Sequence, residues 1–389
     1  MKLNKKISQL STESAFQVLA RAQLLESKGA NIIHLEIGEP DYATPGNICD
    51  AATTALKKGY TRYCSPQGLP ELRTKIASRL EEERGIFINP EQVVVTPGAK
   101  PIMFYTMLAL LEEGDEVIFP NPSFPIYESL INFTGAKPIP IPLCEDMDFR
   151  FNIDELETKV TPRTKLIILN SPHNPTGSIL EEEDINALAE IAIKHDITVL
   201  SDEIYEHFVY DTVHYSIACV SGMENRTILV SGFSKSYAMT GWRLGYAVLP
   251  VELIDPVVRL IINSISCTAP FTQLAGIEAL TGTKTSLQEM VSAFKKRRDF
   301  IVDGLNSIPG IRCPLPKGAF YVFPNIKDLG MESQQLADYL LNEAGVATLA
   351  GSSFGNYGEG YLRISYATSM QNIERAIQRI RDVIMKTTS

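Results

Sequence analysis

The segment 227–245, TILVSGFSKSYAMTGWRLG, begins as an apolar run and places one lysine, Lys235, directly behind it. An ammonium group at the end of a buried strand must be paired, deprotonated or consumed by a reaction, because burying it unpaired costs free energy. Arg243 follows in the same segment and offers a guanidinium group for an anion. The first hypothesis is therefore that Lys235 is consumed by a covalent reaction.

Two further polar positions follow apolar strands. The run at residues 166–169 leads into SPHNPTG, which contains Asn174, and the run at residues 197–200 is followed by Asp202. Ligands of open parallel sheets bind beyond the carboxyl ends of the strands. Each residue alone would pass as a turn or cap residue, but the coincidence at three strand ends predicts that Asn174, Asp202 and Lys235 meet at one edge.

The stretch VVVTPGAKPIMF predicts a strand that ends at Thr96 and a helix that begins within a few residues. Gly98 permits the tight turn, and Pro101 suits the first helical position. The amides of Ala99 and Lys100 would then point out of a helix N-terminus, which favours an anion. An ordinary strand-to-helix turn would have the same pattern.

These groups together indicate one kind of ligand. A helix N-terminus and Arg243 suit a phosphate, and Phe124 in PNPSFPIYESL either covers a core edge or offers a flat face to a planar ring. Pyridoxal phosphate requires these groups together with a lysine for its aldehyde. It also requires a carboxylate, which keeps the pyridine nitrogen protonated so that the ring accepts electrons.

The elements that must position these residues alternate between strand and helix from residue 93 to residue 202. This alternation predicts a mainly parallel sheet covered by helices on both faces. Residues 14–28 are predicted as an amphipathic helix opened by Ser14, with Gln17 at the spacing of a capping box. Beyond residue 252, helical segments with GAFYVFP and YLRISYA indicate a smaller α+β domain that also receives the N-terminal segment. Four isoleucines share one face of its last helix, the pattern of a helix packed on a core: Ile373, Ile377, Ile380 and Ile384.

Composition excludes several classes of protein. The 389 residues carry a net charge of −10, which argues against nucleic acid as the main ligand. The six cysteines and five histidines show no metal-type spacing, so reduced thiols and no catalytic metal are expected. We find neither a signal-peptide pattern nor an apolar run long enough for a membrane span, and we expect a cytoplasmic protein.

The motif GFSKSYAMTGWRLG resembles the lysine-attachment signature of class I aminotransferases, the fold-type I pyridoxal phosphate enzymes. Further motifs resemble the same family in the same order over nearly the whole chain: GEPDYATP, YTRYCSPQGLPELR, TPGAK, NSPHNPTG, SDEIYEHFVY and YLRISYATS. The resemblance implies a large cofactor-binding domain, residues 47–285, on a mainly parallel seven-stranded sheet covered by helices. Residues 1–46 and 286–389 would form the small α+β domain.

The resemblance also implies roles for the residues around the cofactor ring. Lys235 would form the Schiff base and, once freed by the substrate, move the proton of the α-carbon. Asp202 would pair with the pyridinium nitrogen. Tyr205 and Asn174 would bind the 3-oxygen of the ring, and Phe124 would stack on it.

The phosphate would be bound by the amides of Ala99 and Lys100 and by Arg243. Tyr63 matches the family's tyrosine that reaches the phosphate of the neighbouring subunit. The resemblance therefore implies a homodimer with shared active sites.

Two further positions match substrate-binding residues of the family, and one position differs from the family's pattern. Arg363 in YLRISYA matches the arginine that clamps the substrate α-carboxylate, and Gly38 matches the loop glycine that lies over the substrate. Many relatives carry a serine where this chain has Gly232. A hydroxyl donor for the phosphate is then either missing or supplied by Ser231 or Ser234.

The function implied is that of an aminotransferase in amino acid metabolism, with ping-pong kinetics between an amino acid and a 2-oxo acid. SDEIYEH and GEPDYATP look most like the aspartate and broad-specificity branch, although no second cation for an acidic side chain is evident. A β-eliminating C–S lyase on the same scaffold is the alternative, because a carbanion at the α-carbon can also expel a leaving group. A non-enzymatic transcription regulator of this fold usually carries a DNA-binding module, for which a chain starting at this helix is expected to have no room.

Overall fold

β-branched and aliphatic side chains fill the strands of the large sheet, a composition that favours extended backbone buried on both faces. A computed structural model describes residues 4–387 of the chain. Residues 1–3 and 388–389, which belong to the predicted small domain, lie outside the described residues. Across residues 4–387, none of the helices combines the length and the apolar character that crossing a membrane requires.

Twelve strands are present in the described part of the chain. They are β1 (Ile33–His34), β2 (Val93–Thr96), β3 (Glu116–Asn121), β4 (Lys137–Pro142), β5 (Thr164–Asn170), β6 (Thr198–Asp202), β7 (Thr227–Gly232), β8 (Gly245–Val248), β9 (Tyr321–Val322), β10 (Val346–Ala347), β11 (Leu349–Ala350) and β12 (Leu362–Ser365).

Twelve α-helices accompany them between residues 4 and 387. They are α1 (Ser14–Glu26), α2 (Gly46–Lys57), α3 (Pro70–Arg84), α4 (Lys100–Leu110), α5 (Ile126–Thr134), α6 (Ile153–Lys159), α7 (Glu182–Lys194), α8 (Val251–Ser264), α9 (Pro270–Thr281), α10 (Thr285–Asn306), α11 (Ser333–Tyr339) and α12 (Met370–Thr387). Short 3₁₀ segments connect several of these elements, and a π turn, Leu340–Ala344, follows α11.

The large sheet has seven strands in the order β2-β8-β7-β6-β5-β3-β4. Five neighbouring strands, from β7 to β4, are parallel, and only β8 runs antiparallel to both of its neighbours. The predicted fold class, a mainly parallel seven-stranded sheet covered by helices, is confirmed. The register aligns Asn170 with Asp202 at the ends of β5 and β6, so the carboxyl ends of these strands meet at one edge.

Alternate residues of each strand enter different cores on the two faces of the sheet. Along β5, Leu166 and Ile168 pack with α4, α5 and α8, whereas Ile167 and Leu169 pack with α6 and α7. Each fully buried side chain of this size stabilises the fold by roughly 1.5–3 kcal/mol. The two covered faces hold the sheet edge, and hence the strand ends, in a fixed position.

A separate core forms around α10, α12 and the three-stranded sheet β11-β12-β9. The four isoleucines of α12 are all buried in it, as predicted. The N-terminal segment joins this part of the molecule through β1, in which Ile33 pairs with Val346 of β10. The domain boundaries between residues 46 and 47 and between residues 285 and 286 stay a prediction.

Two local predictions about helix starts were wrong by one residue. Ser14 is the first residue of α1 rather than its cap; Glu13 occupies the cap position without a side-chain cap bond, and Gln17 donates to the hydroxyl of Thr12 instead. Pro101 is the second residue of α4, since the helix already begins at Lys100. Both shifts follow from the backbone conformation of the preceding residue, which residue types alone define poorly.

Candidate active site

A cleft of about 560 Å³ opens where β5, β6 and β7 end. Asn170 and Asp202 are the last residues of β5 and β6, and Lys235 follows the end of β7 by three positions. The predicted meeting of Asn174, Asp202 and Lys235 at one edge is observed, since all three line this cleft.

Every predicted site residue except Tyr63 lines the cleft, and the set is drawn from seven separate parts of the chain. It comprises Gly38, Ala99, Lys100, Phe124, Asn174, Asp202, Tyr205, Ser234, Lys235, Arg243 and Arg363. Tyr63 lies elsewhere on the surface, where the residue is 88% exposed.

A second concavity of about 600 Å³ lies near Cys144 and Lys327. One of its carboxylates, Glu145, already accepts hydrogen bonds from Arg312, Asn325 and Tyr361. Glu145 is therefore already paired with its neighbours, and the cleft around Lys235, where the predicted residues meet, is the better candidate.

Lys235 is held at the floor of the cleft by a backbone contact. Its Nζ atom donates a hydrogen bond of 2.5 Å to the carbonyl oxygen of Gly38. Burial lowers the pKa of the Lys235 ammonium to about 8, against which the nearby Glu39 carboxylate acts in the raising direction. Roughly a tenth of Lys235 is therefore a neutral, nucleophilic amine at pH 7, far more than for an ordinary lysine.

Asp202 is a buried carboxylate with two hydrogen-bond donors. The hydroxyl of Tyr127 donates to Oδ2 at 2.6 Å, and the amide of Ile204 donates to Oδ1 at 3.2 Å. Burial raises the pKa of the Asp202 carboxyl to about 6, while the bond from Tyr127 acts in the lowering direction. A cationic ligand group beside Asp202 would restore its full ionisation.

Two tyrosines and an arginine form the opposite wall. The hydroxyls of Tyr205 and Tyr321 share a hydrogen bond of 2.7 Å, and the guanidinium carbon of Arg363 lies 4.6 Å from the centre of the Tyr321 ring. A Cβ atom on Gly38 would lie 2.0 Å from the Tyr321 hydroxyl oxygen. Only glycine therefore lets the loop at residue 38 approach this wall.

Arg363 is buried with only part of its hydrogen-bonding capacity used. Its Nη2 atom donates to the carbonyl oxygen of Glu36, and Nη1 lies 3.5 Å from Oδ1 of Asn174. The Nε atom is buried and has no partner within residues 4–387. Burial lowers the pKa of the guanidinium, so an anionic ligand here would offset a real desolvation cost. Arg363 also lines the cleft, and a guanidinium with an unpaired N–H is suited to bind a carboxylate.

The turn before α4 forms the other end of the cleft. Gly98 has a φ of +87°, and a Cβ atom there would lie 2.3 Å from Nη2 of Arg243. Gly245 of β8 touches the same turn, since its missing Cβ would lie 2.6 Å from the amide nitrogen of Ala99. The first amides of α4 lack partners within the helix, and together with Arg243 they form an anion site at residues 98–100.

The two serines near Gly232 differ in where their hydroxyls lie. Ser231 is buried, and its hydroxyl donates at 2.9 Å to Oε1 of Glu206, which is paired with Arg79 and Arg84. Ser234 lines the cleft, whereas Ser231 does not. The geometry favours Ser234 as the hydroxyl available to a phosphate.

Sequence reasoning missed the residues that close the cleft from the side of α1. Glu13 and Phe16 line it, and the side chain of Lys100, of which only the amide was assigned a role from the sequence, forms an ion pair with Glu13. Tyr127, which was assigned no role from the sequence, donates a hydrogen bond to the site carboxylate Asp202. The motif GAFYVFP contains Tyr321 and could have indicated it, but nothing near Glu13 in the sequence indicates chemistry.

The cleft thus offers a partly neutral amine, a buried carboxylate, an anion site at one end and a guanidinium with a free N–H at the other. These groups fit pyridoxal phosphate together with an α-carboxylate substrate. The turn before α4 would hold the phosphate, Phe124 and Asp202 would hold the ring, and Arg363 would hold the carboxylate.

Comparison with known proteins agrees with this geometry. A family model described as aminotransferase class I and II matches residues 30–380. The aspartate aminotransferase of Pyrococcus abyssi is 43% identical and covers 91% of this chain and 92% of its own length. Aromatic-amino-acid aminotransferase 2 of Thermococcus litoralis is 41% identical and also covers 91% of this chain and 92% of its own length. The solved structure of Thermus thermophilus aspartate aminotransferase with maleate superposes with a TM-score of 0.95 at 35% identity, covering 98% of this chain and 100% of that one.

Proposed function

The chain belongs to the aminotransferase class I and II family and is a transaminase, and we propose that it transfers the amino group of an L-amino acid to a 2-oxo acid with pyridoxal 5′-phosphate bound in the cleft around Lys235. One observation carries the proposal. Lys235 bonds the carbonyl of Gly38, and Arg363 bonds the carbonyl of Glu36, so the reactive amine and the carboxylate-binding guanidinium converge on one short loop.

Residues at one end of the cleft and on one wall would hold the cofactor. Its phosphate would be bound by the amides of Ala99 and Lys100, by Arg243 and by the hydroxyl of Ser234. Phe124 would cover one face of the ring.

The electronic partners of the ring would come from the strand ends and the opposite wall. Asp202 would pair with the ring nitrogen, and Asn174 and Tyr205 would bind the 3-oxygen. When bound, the cofactor supplies an electron sink for the charge that develops at the substrate's α-carbon.

The chain's own residues would then position the substrate and move its proton. Lys235, with a pKa lowered to about 8, is suited to take the proton from the α-carbon near neutral pH. Arg363 would bind the α-carboxylate through its free Nε–H and one Nη group, a bidentate geometry that orients the α-carbon. Gly38 would cover the substrate, since its carbonyl already lies over Lys235.

We propose an aspartate-like or broad side-chain specificity. Lys235, Arg243 and Arg363 each have a task at the cofactor or the α-carboxylate, which leaves Lys100 as a further cation in the cleft. A distal carboxylate would find a partner there. The names of the relatives from Pyrococcus abyssi and Thermococcus litoralis, one for aspartate and one for aromatic amino acids, support a cleft that tolerates both kinds of donor.

The proposal includes a homodimer with shared active sites. Tyr63 is largely exposed and lies outside the cleft of its own chain. In a dimer it would reach the phosphate of the neighbouring subunit. Sedimentation of the wild type and a cofactor dissociation constant for Tyr63→Phe test this part.

A half-reaction tests the proposed activity. The holoenzyme, mixed with one amino acid and no oxo acid, should release one equivalent of 2-oxo acid per site and convert its cofactor to the amine form, as ping-pong kinetics require. Failure with acidic, aromatic and aliphatic donors alike would contradict transamination by this chain. Release of pyruvate and sulfide from cysteine would instead favour the β-eliminating lyase.

Lys235→Ala tests the assignment of the base. We expect turnover to fall by at least about 10³-fold, because both the covalent attachment and the proton transfer are lost, while cofactor still binds. Lys295→Ala, which removes an exposed lysine paired with Asp211, is the matched control and should retain full activity. Full activity of Lys235→Ala would refute the assignment.

A further inference from the structure

Lys100 and Glu13 form the one ion pair between α4 and the residue that precedes α1 within the described chain. The Nζ atom of Lys100 also lies 5.4 Å from the centre of the Phe124 ring and 5.9 Å from that of Phe16. The side chain of Lys100 is 43% exposed, whereas that of Glu13 is 17% exposed. The carboxylate therefore lies deeper than the cation it neutralises.

Glu13 faces the part of the cleft where a substrate would bind. It lines the cleft together with Phe16 and Arg363. Burial lowers the pKa of the Arg363 guanidinium, and Glu13 is among the carboxylates that act against this shift. Glu13 is thus close enough to two cations, Lys100 and Arg363, to influence both.

We propose that Glu13 is a displaceable counterion that determines the side-chain specificity of the transaminase. It neutralises Lys100 when the bound amino acid has an uncharged side chain, and it withdraws when a dicarboxylic substrate places its distal carboxylate on Lys100. This inference rests on the proposed function, since it names the substrate classes of the same cleft.

Electrostatics favours such a device if one cleft accepts both substrate classes. An uncharged side chain packed against Lys100 would desolvate an ammonium without giving it a partner, which is costly. A dicarboxylic substrate meets the opposite problem, because its distal carboxylate and Glu13 would compete for the same ammonium and repel one another. A counterion that moves resolves both cases.

The start of α1 provides a place for the withdrawn carboxylate. Glu13 occupies the cap position with extended backbone, φ −76° and ψ 122°, yet its side chain makes no cap bond. The first amides of a helix lack intrahelical acceptors and attract a carboxylate at the cap position. Rotation of the Glu13 side chain from Lys100 to these amides exchanges one favourable partner for another.

Equilibrium binding of two unreactive analogues tests the proposal. Maleate represents the dicarboxylic substrates and 3-phenylpropionate the uncharged ones, and the dissociation constants for the holoenzyme are measured by titration calorimetry. For Glu13→Gln, which keeps the size of the side chain, we expect maleate to bind about tenfold tighter relative to 3-phenylpropionate than in the wild type. A ratio unchanged within twofold would overturn the proposal.

Two further variants separate a specific counterion from a general charge effect. Glu39→Gln removes another carboxylate that lines the cleft but is bonded to the hydroxyl of Thr240 rather than to Lys100. We expect less than a threefold change in the ratio for this variant; an equal change in both variants would overturn the proposal. In a Lys100→Met background, Glu13→Gln should no longer change the ratio, and a persisting change would likewise contradict it.

Half-reaction rates of the same proteins distinguish this inference from the proposed function. If the wild type reacts with both aspartate and phenylalanine but Glu13→Gln leaves their relative kcat/KM unchanged, the counterion role fails and transamination stands. If no donor reacts with the wild type, the proposed function itself fails.

Discussion

Tyr127 donates a hydrogen bond of 2.6 Å to Oδ2 of Asp202, and both side chains are buried beneath the cleft. The bond fixes the carboxylate so that it faces the cleft and favours its ionised form against burial. Asp202 alone would be a carboxyl group with a raised pKa. With Tyr127 it becomes a better oriented partner for a cationic ring nitrogen.

Tyr127→Phe should weaken pyridoxal phosphate binding about 10- to 150-fold, because a hydrogen bond to a charged group contributes about 1.5–3 kcal/mol. The dissociation constant is measured by absorbance titration of the apoenzyme. Tyr105→Phe is the matched control, since its hydroxyl bonds Ser264 on α8 rather than a cleft residue. Equal affinities of the Tyr127→Phe variant and the wild type would contradict the role of this bond.

The reaction of Lys235 with the cofactor aldehyde should depend on pH with a break near 8. Burial lowers the pKa of Lys235 to about 8, so the neutral amine increases about tenfold per pH unit below that value and levels off above it. Stopped-flow absorbance of the apoenzyme with pyridoxal, which lacks the phosphate and its titration, measures the rate. Glu39→Gln should shift the break to lower pH, because Glu39 acts to raise this pKa. A rate that rises unbroken to pH 10 would show an ordinary lysine.

Arg363→Lys should lower kcat/KM for every amino donor about 10- to 150-fold, with most of the effect in KM. A lysine keeps the charge but cannot form the bidentate pair that the planar guanidinium makes with a carboxylate. Steady-state kinetics with a fixed oxo acid measure the effect. Arg379→Lys, at an arginine that bonds the backbone and side chain of Asn31 on the surface, is the control. A variant that retained wild-type KM would exclude Arg363 from substrate binding.

Ser234→Ala and Ser231→Ala should separate cofactor binding from stability. Ser234 lines the cleft, so its loss should weaken pyridoxal phosphate binding by about 3- to 10-fold, roughly the net value of one hydrogen bond. Ser231 bonds Glu206 instead, so its loss should lower the free energy of unfolding by about 1 kcal/mol. Urea denaturation and cofactor titration of both variants measure these effects, and the reverse outcome would assign the phosphate hydroxyl to Ser231.

Arg84→Met should lower the free energy of unfolding by about 3–5 kcal/mol at pH 7, because it leaves the buried carboxylates Glu203 and Glu206 with fewer partners. The desolvation of Glu203 is outweighed by Arg84 and its other partners, so its pKa falls to about 2. A carboxyl with a lowered pKa stabilises the fold above its unfolded pKa, near 4.5, and the stabilisation is lost as pH falls through about 2.

Urea denaturation between pH 7 and pH 3 checks this expectation. In the wild type, the contribution of Glu203 to the free energy of unfolding should be complete at pH 5 and should decrease below that pH. In Arg84→Met this stabilisation should be lost at a higher pH, because removing Arg84 raises the pKa of Glu203. Arg226→Met, at a pair with the exposed Asp196, should cost less than about 1 kcal/mol. Equal effects of the two substitutions would contradict the cluster's role.

The sequence predicts those site residues that lie at the ends of the strands of the large sheet. Asn174, Asp202 and Lys235 each follow an apolar run, and parallel strands bring their carboxyl ends together whatever else the chain does. Glu13 is different, because it contacts Lys100 across 87 residues of sequence through the packing of α1. No local pattern encodes that contact.

Helix starts and hydroxyl directions also depend on the tertiary structure. Ser14 is the better cap residue by type, yet the backbone conformation places the cap position at Glu13. Ser231 and Ser234 likewise cannot be separated by type, and it is the position of Glu206 that turns the hydroxyl of Ser231 away from the cleft. The contribution of Tyr63 to a neighbouring site stays a prediction, because it concerns a second chain.

The contact between Gly245 and the turn at residues 98–99 has a consequence for how this protein tolerates mutation. Gly245 does not line the cleft, yet any side chain there would push the amide of Ala99 out of place. The shape of the anion site thus depends partly on the lack of a side chain at Gly245, which lies on β8. We therefore expect a side chain at position 245 to weaken anion binding although Gly245 lies outside the cleft, so a map of mutational tolerance would extend the site beyond the residues that line it.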